Sequence, residues 1–459
     1  MENITTPLGG IIVIDKVEKD FGMISSMFGG VLSTEDIGRM KVLLNNKMTY
    51  ATSVRQIPNI ISSDVCALLG ATSVSERSLG RAVVKVGHAA PIIMERYQDL
   101  IKKKNLVDKN QNIDWSSSFF EGRKAEIAEY GYSRDHRPDK KQITWGISTG
   151  INEVPSALTI QNGNVQDKKH FNETYRLVSR ISENGALFIF DCGANTKDNK
   201  GKIVADGFNY LTLKPKNLNV YKKYISKFKT GEKIQFKIDN RKYTAVKIKE
   251  GGEFQYIYFC KQLLEDQLYK KQKKFERQMK KGNELAKKVA KKKIVDRYPS
   301  EKGWVELYPE LQRTMDVIEN PYIIGIEGFF ILESSVDASP VEILNIYKQR
   351  DVAEKLIRNL KEGIELRPIR HWTKYAIIGA IVIAFLAEAM INMTQVFCQN
   401  PLVKNVKLLK KFMMNLTLTF VYPAGRFKFQ VVSNVSEPIL VLFGDFWQKY
   451  QTKDIELRW

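Results

Sequence analysis

From residue 108 to 213 the chain alternates strand-like and helix-like segments in a fixed order, and that order limits the fold more than any other feature. Asn112 to Phe120 (NIDWSSSFF), Gln142 to Thr149 and Ala157 to Gln161 read as three strands, with Asn152 and Gly163 supplying turns. Asp167 to Ile181 has helical spacing. Ala186 to Asp191 (ALFIFD) is an apolar strand that ends on a carboxylate, Thr196 to Val204 is a short helix, and Phe208 to Leu213 is a further strand. Such an order requires an α/β sheet, in which functional carboxylates belong at strand ends over the crevice. Asp114 in the first strand and Asp191 at the end of the fourth are therefore candidates, with Asp198 as a rival to the second and Asp135 or Asp139 as rivals to the first, although these two sit in a basic stretch where they are expected to pair with Arg134 and Arg137.

A second constraint is the segment Ser339 to Glu365 (SPVEILNIYKQRDVAEKLIRNLKEGIE), which reads as one long helix with Ser339 as N-cap and Pro340 in the first turn. At about 100° per residue, Tyr347, Arg350, Glu354 and Lys361 fall inside a stripe about 60° wide. A carboxylate flanked by Arg and Lys on one helix face suits a metal ligand beside groups that grip phosphate. Taken alone, the same face is also that of a solvated helix with i, i+4 pairs, and Asp351 is a rival to Glu354.

The remaining sequence gives the organisation. Residues 1–107 read as mostly helical after a strand-like start at Ile11 to Ile14, and a capping box is expected at Ser73 to Glu76. Residues 215–320 break the α/β pattern as an insertion would. Ile234 to Cys260 alternates as a small antiparallel unit, and Lys261 to Lys293 is a basic helix on which Lys273, Lys274 and Arg277 are expected to meet a phosphate backbone. The α/β pattern resumes over 321–395, with a strand at Ile323 to Leu332 and an apolar helix at Trp372 to Met390. A mixed tail follows over 396–459. The chain of 459 residues carries 72 Lys and Arg against 51 acids, a net charge of +21, which favours a polyanionic partner, foremost DNA. The longest apolar run, Tyr375 to Met390, is short for a bilayer and is expected to be a buried helix, so no membrane is expected. Four cysteines lie far apart without a CxxC pair, which argues against a zinc knuckle or disulfide framework. The first residues do not resemble a secretory signal, so a cytoplasmic, nucleoid-associated protein is expected.

The element order between 108 and 213 resembles that of the ribonuclease H-like fold. The spacing Tyr347-x2-Arg350-x3-Glu354-x6-Lys361 resembles the Tyr-Arg-Glu-Lys motif of DDE transposases encoded by bacterial and archaeal insertion sequences. Two further blocks are similar to segments of that family: Gly131 to Gln142 (GYSRDHRPDKKQ), which follows the first strand, and Phe190 to Asn199 (FDCGANTKDN), around the second aspartate.

The resemblance implies a ribonuclease H-like catalytic domain split by an insertion. Within it, Asp114, Asp191 and Glu354 would hold two Mg²⁺ or Mn²⁺ ions for phosphodiester hydrolysis and strand transfer. Tyr347, Arg350 and Lys361, with Arg358 on the same helix, would hold DNA phosphates. It also implies double-stranded DNA partners, namely the element's inverted-repeat ends and the target, and an end-bound homodimer. Trp304 in the insertion is a candidate for stacking on a flipped base, although a packing role suits it as well. Cys192 and an Ala-Asn pair depart from many relatives, and a thiol beside a metal ligand implies an oxidation-sensitive site. The competing readings are a transposase-derived DNA-binding protein without catalysis and a metal nuclease without strand transfer.

Overall fold

A computed structural model describes every residue except 1–2, 73, 123, 291–318, 397, 399–405, 423–428 and 453–459. The chain divides into two compact units, Met1–Tyr210 with Lys348–Trp459, and Leu211–Tyr347. The first begins with β1 (Ile4–Pro7), followed by helices α1 (Gly9–Phe21), α2 (Met23–Phe28), α3 (Thr34–Met48), α4 (Ile57–Ile60), α5 (Ser63–Leu68) and α6 (Glu76–Lys103). Ile11 to Ile14, expected as a strand, instead lie in α1 and are fully buried. A four-residue β-branched run has no period of its own, and burial on every side overrides its strand preference. The cap of α6 sits on Ser75, not Ser73: the Ser75 hydroxyl accepts from the Ser78 N–H at 3.1 Å, and the Ser78 hydroxyl accepts from the Ser75 N–H at 2.8 Å.

Next come β2 (Asn110–Phe119), β3 (Gln142–Thr149), β4 (Pro155–Asn162), α7 (Asp167–Ile181), β5 (Leu187–Phe190), α8 (Lys197–Ala205) and β6 (Asn209–Leu213), in the order that the sequence pattern requires. In the first unit the strands lie in the order β4-β3-β2-β5. β2 is antiparallel to β3 and parallel to β5, with Ile113 beside Phe190. It is thus hydrogen-bonded on both sides, which fixes the backbone that carries Asp114.

The chain enters the second unit within β6, whose Leu211 to Leu213 pair with β10 (Phe329–Ser334). That unit contains α9 (Leu218–Thr230), β7 (Ile234–Ile238), β8 (Arg241–Glu250), β9 (Glu253–Phe259), α10 (Lys261–Ala290), β10 and α11 (Pro340–Lys348). Its strands run β10-β9-β8-β7, all antiparallel. β10 begins six residues later than the expected strand, because Ile324 and Gly325 donate their N–H groups to the Glu327 carboxylate in a turn, with Gly325 at φ 80° and Gly328 at φ 76°.

Ser339 caps α11 as expected, accepting from the Glu342 N–H at 3.2 Å. The single helix expected over 339–365 does not form. It is divided at Gln349 and Arg350, restarts as α12 (Asp351–Arg358), and widens into a π turn over Asn359–Gly363. A π turn takes in more residues per revolution, so later side chains fall off the face that an uninterrupted α-helix would give them.

α13 (Lys374–Gln395) is six residues longer than the apolar run suggested. By length and composition it could cross a membrane, yet here it is largely buried against α6, α3 and α1. The approach of α13 to α6 depends on two glycines: a Cβ on Gly87 would lie 1.8 Å from the Tyr375 carbonyl oxygen, and one on Gly379 would lie 2.0 Å from that of Val83. α14 (Val406–Asn415), β11 (Thr417–Val421), β12 (Phe429–Ser433) and α15 (Glu437–Phe443) complete the first unit, with β1, β11 and β12 forming a small antiparallel sheet.

Candidate active site

Asp114 and Asp191 stand side by side because β2 and β5 are parallel neighbours in register. Each aspartate is one residue beyond the Ile113 and Phe190 pair, and adjacent strands lie about 4.8 Å apart. Asp114 is half-buried; its carboxylate accepts from the Trp115 N–H at 2.9 Å, and Trp115 is anchored in turn by its indole N–H on Thr174 Oγ1 at 3.1 Å. Asp191 follows a strand buried at every position and caps the short turn after it, accepting from the Cys192 N–H at 2.6 Å. Burial pushes the Asp114 carboxyl up to about 6; Arg350 opposes the rise and the nearby Asp191 adds to it.

Glu354 enters from α12, which packs on β2 and β3. Arg350 links the two sides of the site: its guanidinium is 3.6 Å from Asp114 Oδ2 and is hydrogen-bonded to Glu354. Among the described residues no three His, Cys, Asp or Glu side chains are grouped closely enough to hold a metal ion. The donor set nevertheless fits a hard divalent cation. It consists of carboxylate oxygens alone, from three side chains of which two are on adjacent strands, and a single arginine offsets only part of its negative charge, leaving an excess that a divalent cation would meet. Glu354 would have to turn from Arg350 to join the aspartates.

Of the expected stripe, Arg350 and Glu354 share a face, one turn apart and hydrogen-bonded, and Lys361 departs from it. Tyr347 belongs to the second unit, whereas Arg350, Glu354 and Lys361 belong to the first. Lys361 lies in the π turn, is buried, and donates to Asp135 Oδ1 at 2.7 Å, so any phosphate contact would require breaking that pair. Arg358 ends α12 next to that turn. Lys273, Lys274 and Arg277 stand together on α10 in the second unit; Lys273 is 4.5 Å from the Tyr269 ring centre and Lys274 is 4.0 Å from that of Tyr322. Trp304 lies outside the described residues.

The residue that sequence reasoning undervalued is Asp135. It is expected to pair with Arg134; instead its side chain is wholly buried and holds Lys361, Arg367 at 2.8 Å and the Phe119 N–H at 3.2 Å. Arg134 goes to Asp167 at 2.5 Å, while Asp139 pairs with Arg137 as expected. The segment after β2 thus ties the Glu354 helix to the strand carrying Asp114. An acid inside the basic block 131–142 was the available signal, but its partners are too distant in sequence to read. The expectation for Cys192 changes too: burial and Asp191 push its thiol up to about 11, keeping it in the poorly reactive protonated form.

A family model described as "Transposase DDE domain" matches residues 113–387, a span that contains Asp114, Asp191 and Glu354. No curated protein matches the chain. Among solved structures, a piggyBac transposase in a synaptic complex with hairpin DNA is similar over 88% of this chain and 78% of that chain, at 10% identity and a TM-score of 0.39.

Proposed function

The chain belongs to the family of transposases with a DDE domain, and from that premise we propose that Asp114, Asp191 and Glu354 are its catalytic carboxylates. The proposed reaction is phosphodiester hydrolysis and strand transfer at the inverted-repeat ends of an insertion sequence, by a protein of the Tyr-Arg-Glu-Lys class that works as an end-bound homodimer. The observation that carries this reading is the pair of aspartates in register on adjacent parallel strands, with the Glu354 helix packed over the strand of Asp114. In this reading β2 to β6 form the core of a ribonuclease H-like domain, and the protein acts on DNA in the cytoplasm, at the nucleoid.

The three carboxylates would hold two Mg²⁺ or Mn²⁺ ions, which when bound make water a stronger nucleophile and stabilise the leaving oxygen. The protein's own part is to place the ligands. The ladders on both sides of β2 fix Asp114, and the cap on Cys192 orients Asp191. The buried cluster of Asp135, Lys361 and Arg367 anchors the turn after α12, and so the direction from which Glu354 approaches. Arg350 is shared between Asp114 and Glu354 and offsets part of their charge, and on losing Glu354 its guanidinium would be released to a DNA phosphate. Lys273, Lys274 and Arg277 offer a basic surface of the second unit to the duplex backbone.

The test is cleavage of a labelled duplex carrying the element's own flanking end sequence, beside a scrambled duplex, with Mg²⁺ present. Cutting at the end junction alone, abolished by Asp191→Asn and by Glu354→Gln while DNA binding persists, is the expected result. Binding without cutting would favour a non-catalytic DNA-binding protein, and equal cutting of both duplexes a plain nuclease. Cleavage by Glu354→Gln at the wild-type rate would refute the ligand assignment.

A further inference from the structure

A cavity of about 770 Å³ in the first unit lies between the end of α3 with the loop that follows it, and the segment from Glu365 to Trp372 beyond the π turn. Val83 of α6 and Ala380, Ile381 and Ile383 of α13 give it an apolar part, and polar residues from the loop after α3 and from 365–372 line the rest. That volume is in the range that holds a small organic ligand.

The lining is cationic. Lys47, Arg55, Arg367 and Arg370 face two acids, Glu76 and Glu365. Arg367 is engaged by Asp135 and Glu362, but among the described residues neither Arg55 nor Arg370 has a carboxylate within ion-pair distance, and both are exposed. Lys47 is half-buried, and among the described residues its ammonium donates to neutral oxygens, the carbonyls of Ile364 at 3.3 Å and Glu365 at 3.4 Å. Burial pulls this ammonium down to about 8; Glu365 opposes the fall and Lys410 adds to it. Glu365 is exposed and outside ion-pair distance of this ammonium, so it offsets the burial only in part, and an anion entering the cavity would lower the remaining cost.

The rim carries a second signal. Trp372 is 62% exposed, an unusual state for an indole, and it stands two residues from Arg370. An indole face presented beside cations is the arrangement on which nucleobases stack while their phosphates are held. A bare phosphate or a sugar phosphate would use the cations and leave the indole idle. A paired base in a duplex would not expose the face that the indole needs.

We propose that this cavity binds a nucleoside phosphate, with the phosphate held by Lys47, Arg55 and Arg370 and the base against Trp372. Such a unit has two sources, an unpaired nucleotide within a DNA strand or a free nucleotide. Both present the same chemistry to the cavity.

The test follows Trp372 fluorescence in the full-length protein during titration with dTMP, with a short single-stranded oligonucleotide, and with inorganic phosphate. Saturable quenching by dTMP or by the oligonucleotide is expected, absent in Trp372→Phe and weakened about tenfold in Arg55→Ala and in Arg370→Ala, as loss of a charge-assisted hydrogen bond implies. Both arginines are exposed, and an unchanged melting temperature shows that the variants are folded. Tighter binding of the oligonucleotide than of dTMP assigns the site to a DNA strand, and the reverse assigns it to a free nucleotide. The proposal is overturned if neither probe quenches saturably, if the two arginine variants bind as the wild type does, or if inorganic phosphate binds as tightly as dTMP. End-duplex cleavage is measured on the same samples. Cleavage without quenching removes this inference alone, and quenching without cleavage removes the catalytic reading alone.

Discussion

Glu388 lies in the middle of α13, fully buried, with neither carboxylate oxygen in a well-formed hydrogen bond. Burial pushes its carboxyl up from 4.5 to about 7. Asn359, Lys410 and Asn392 oppose the rise, and Glu153 adds to it. The folded protein therefore keeps a proton that the unfolded chain releases. The contribution to stability is complete below about 4.5, declines as pH rises, and is gone above about 7. At about 1.4 kcal/mol for each pH unit between those values, the loss is about 3 kcal/mol. Glu388→Gln has nearly the same shape and no charge. It should match the wild type to within about 1 kcal/mol at pH 5 and exceed it by about 3 kcal/mol at pH 8. Urea unfolding of both proteins at the two pH values measures this, and taking the difference between them cancels every other titrating group. The same offset at both pH values, or a wild type that gains on the variant as pH rises, would refute the reasoning.

Replacing Lys273, Lys274 and Arg277 together by Gln should lower the slope of log binding constant against log salt for duplex DNA by about 2 to 3, if each neutralises one phosphate; an unchanged slope in a salt titration would remove α10 from the DNA surface. Lys361→Ala leaves Asp135 buried with Arg367 as its remaining cation and should cost about 3 kcal/mol of stability in urea unfolding. Adding Asp135→Asn should recover part of that loss, and no recovery would mean that the pair is not coupled. Gly87→Ala forces a methyl against the Tyr375 carbonyl and should destabilise by about 1 to 3 kcal/mol, read as a lower melting temperature. Ala at Gly80 of the same helix meets no atom within 4 Å and should be tolerated.

Local periodicity determined a large part of this molecule. β2, β3, β4, α7, β5, α8 and β6 follow from residues close together in sequence, because side-chain alternation and helical spacing express which face is buried. Asp191 was legible as a candidate because a wholly apolar strand ending on a carboxylate points to a strand end, and Asp114 because it interrupts the first strand. What the sequence alone did not carry was decided by burial and by partners far along the chain. Ile11 to Ile14 became helix because α1 is enclosed, and the run from Ser339 to Glu365 broke into two helices and a π turn. That turn directs Lys361 inward to Asp135, 226 residues away in sequence, and Arg367 meets the same carboxylate across 232 residues. Lys47 likewise ends beneath the carbonyls of Ile364 and Glu365 only because α3 packs there. A stripe drawn on an ideal helix assumes one uninterrupted rotation. The packed chain trades that regularity for a buried charge cluster, and the choice is made by contacts that no local pattern contains.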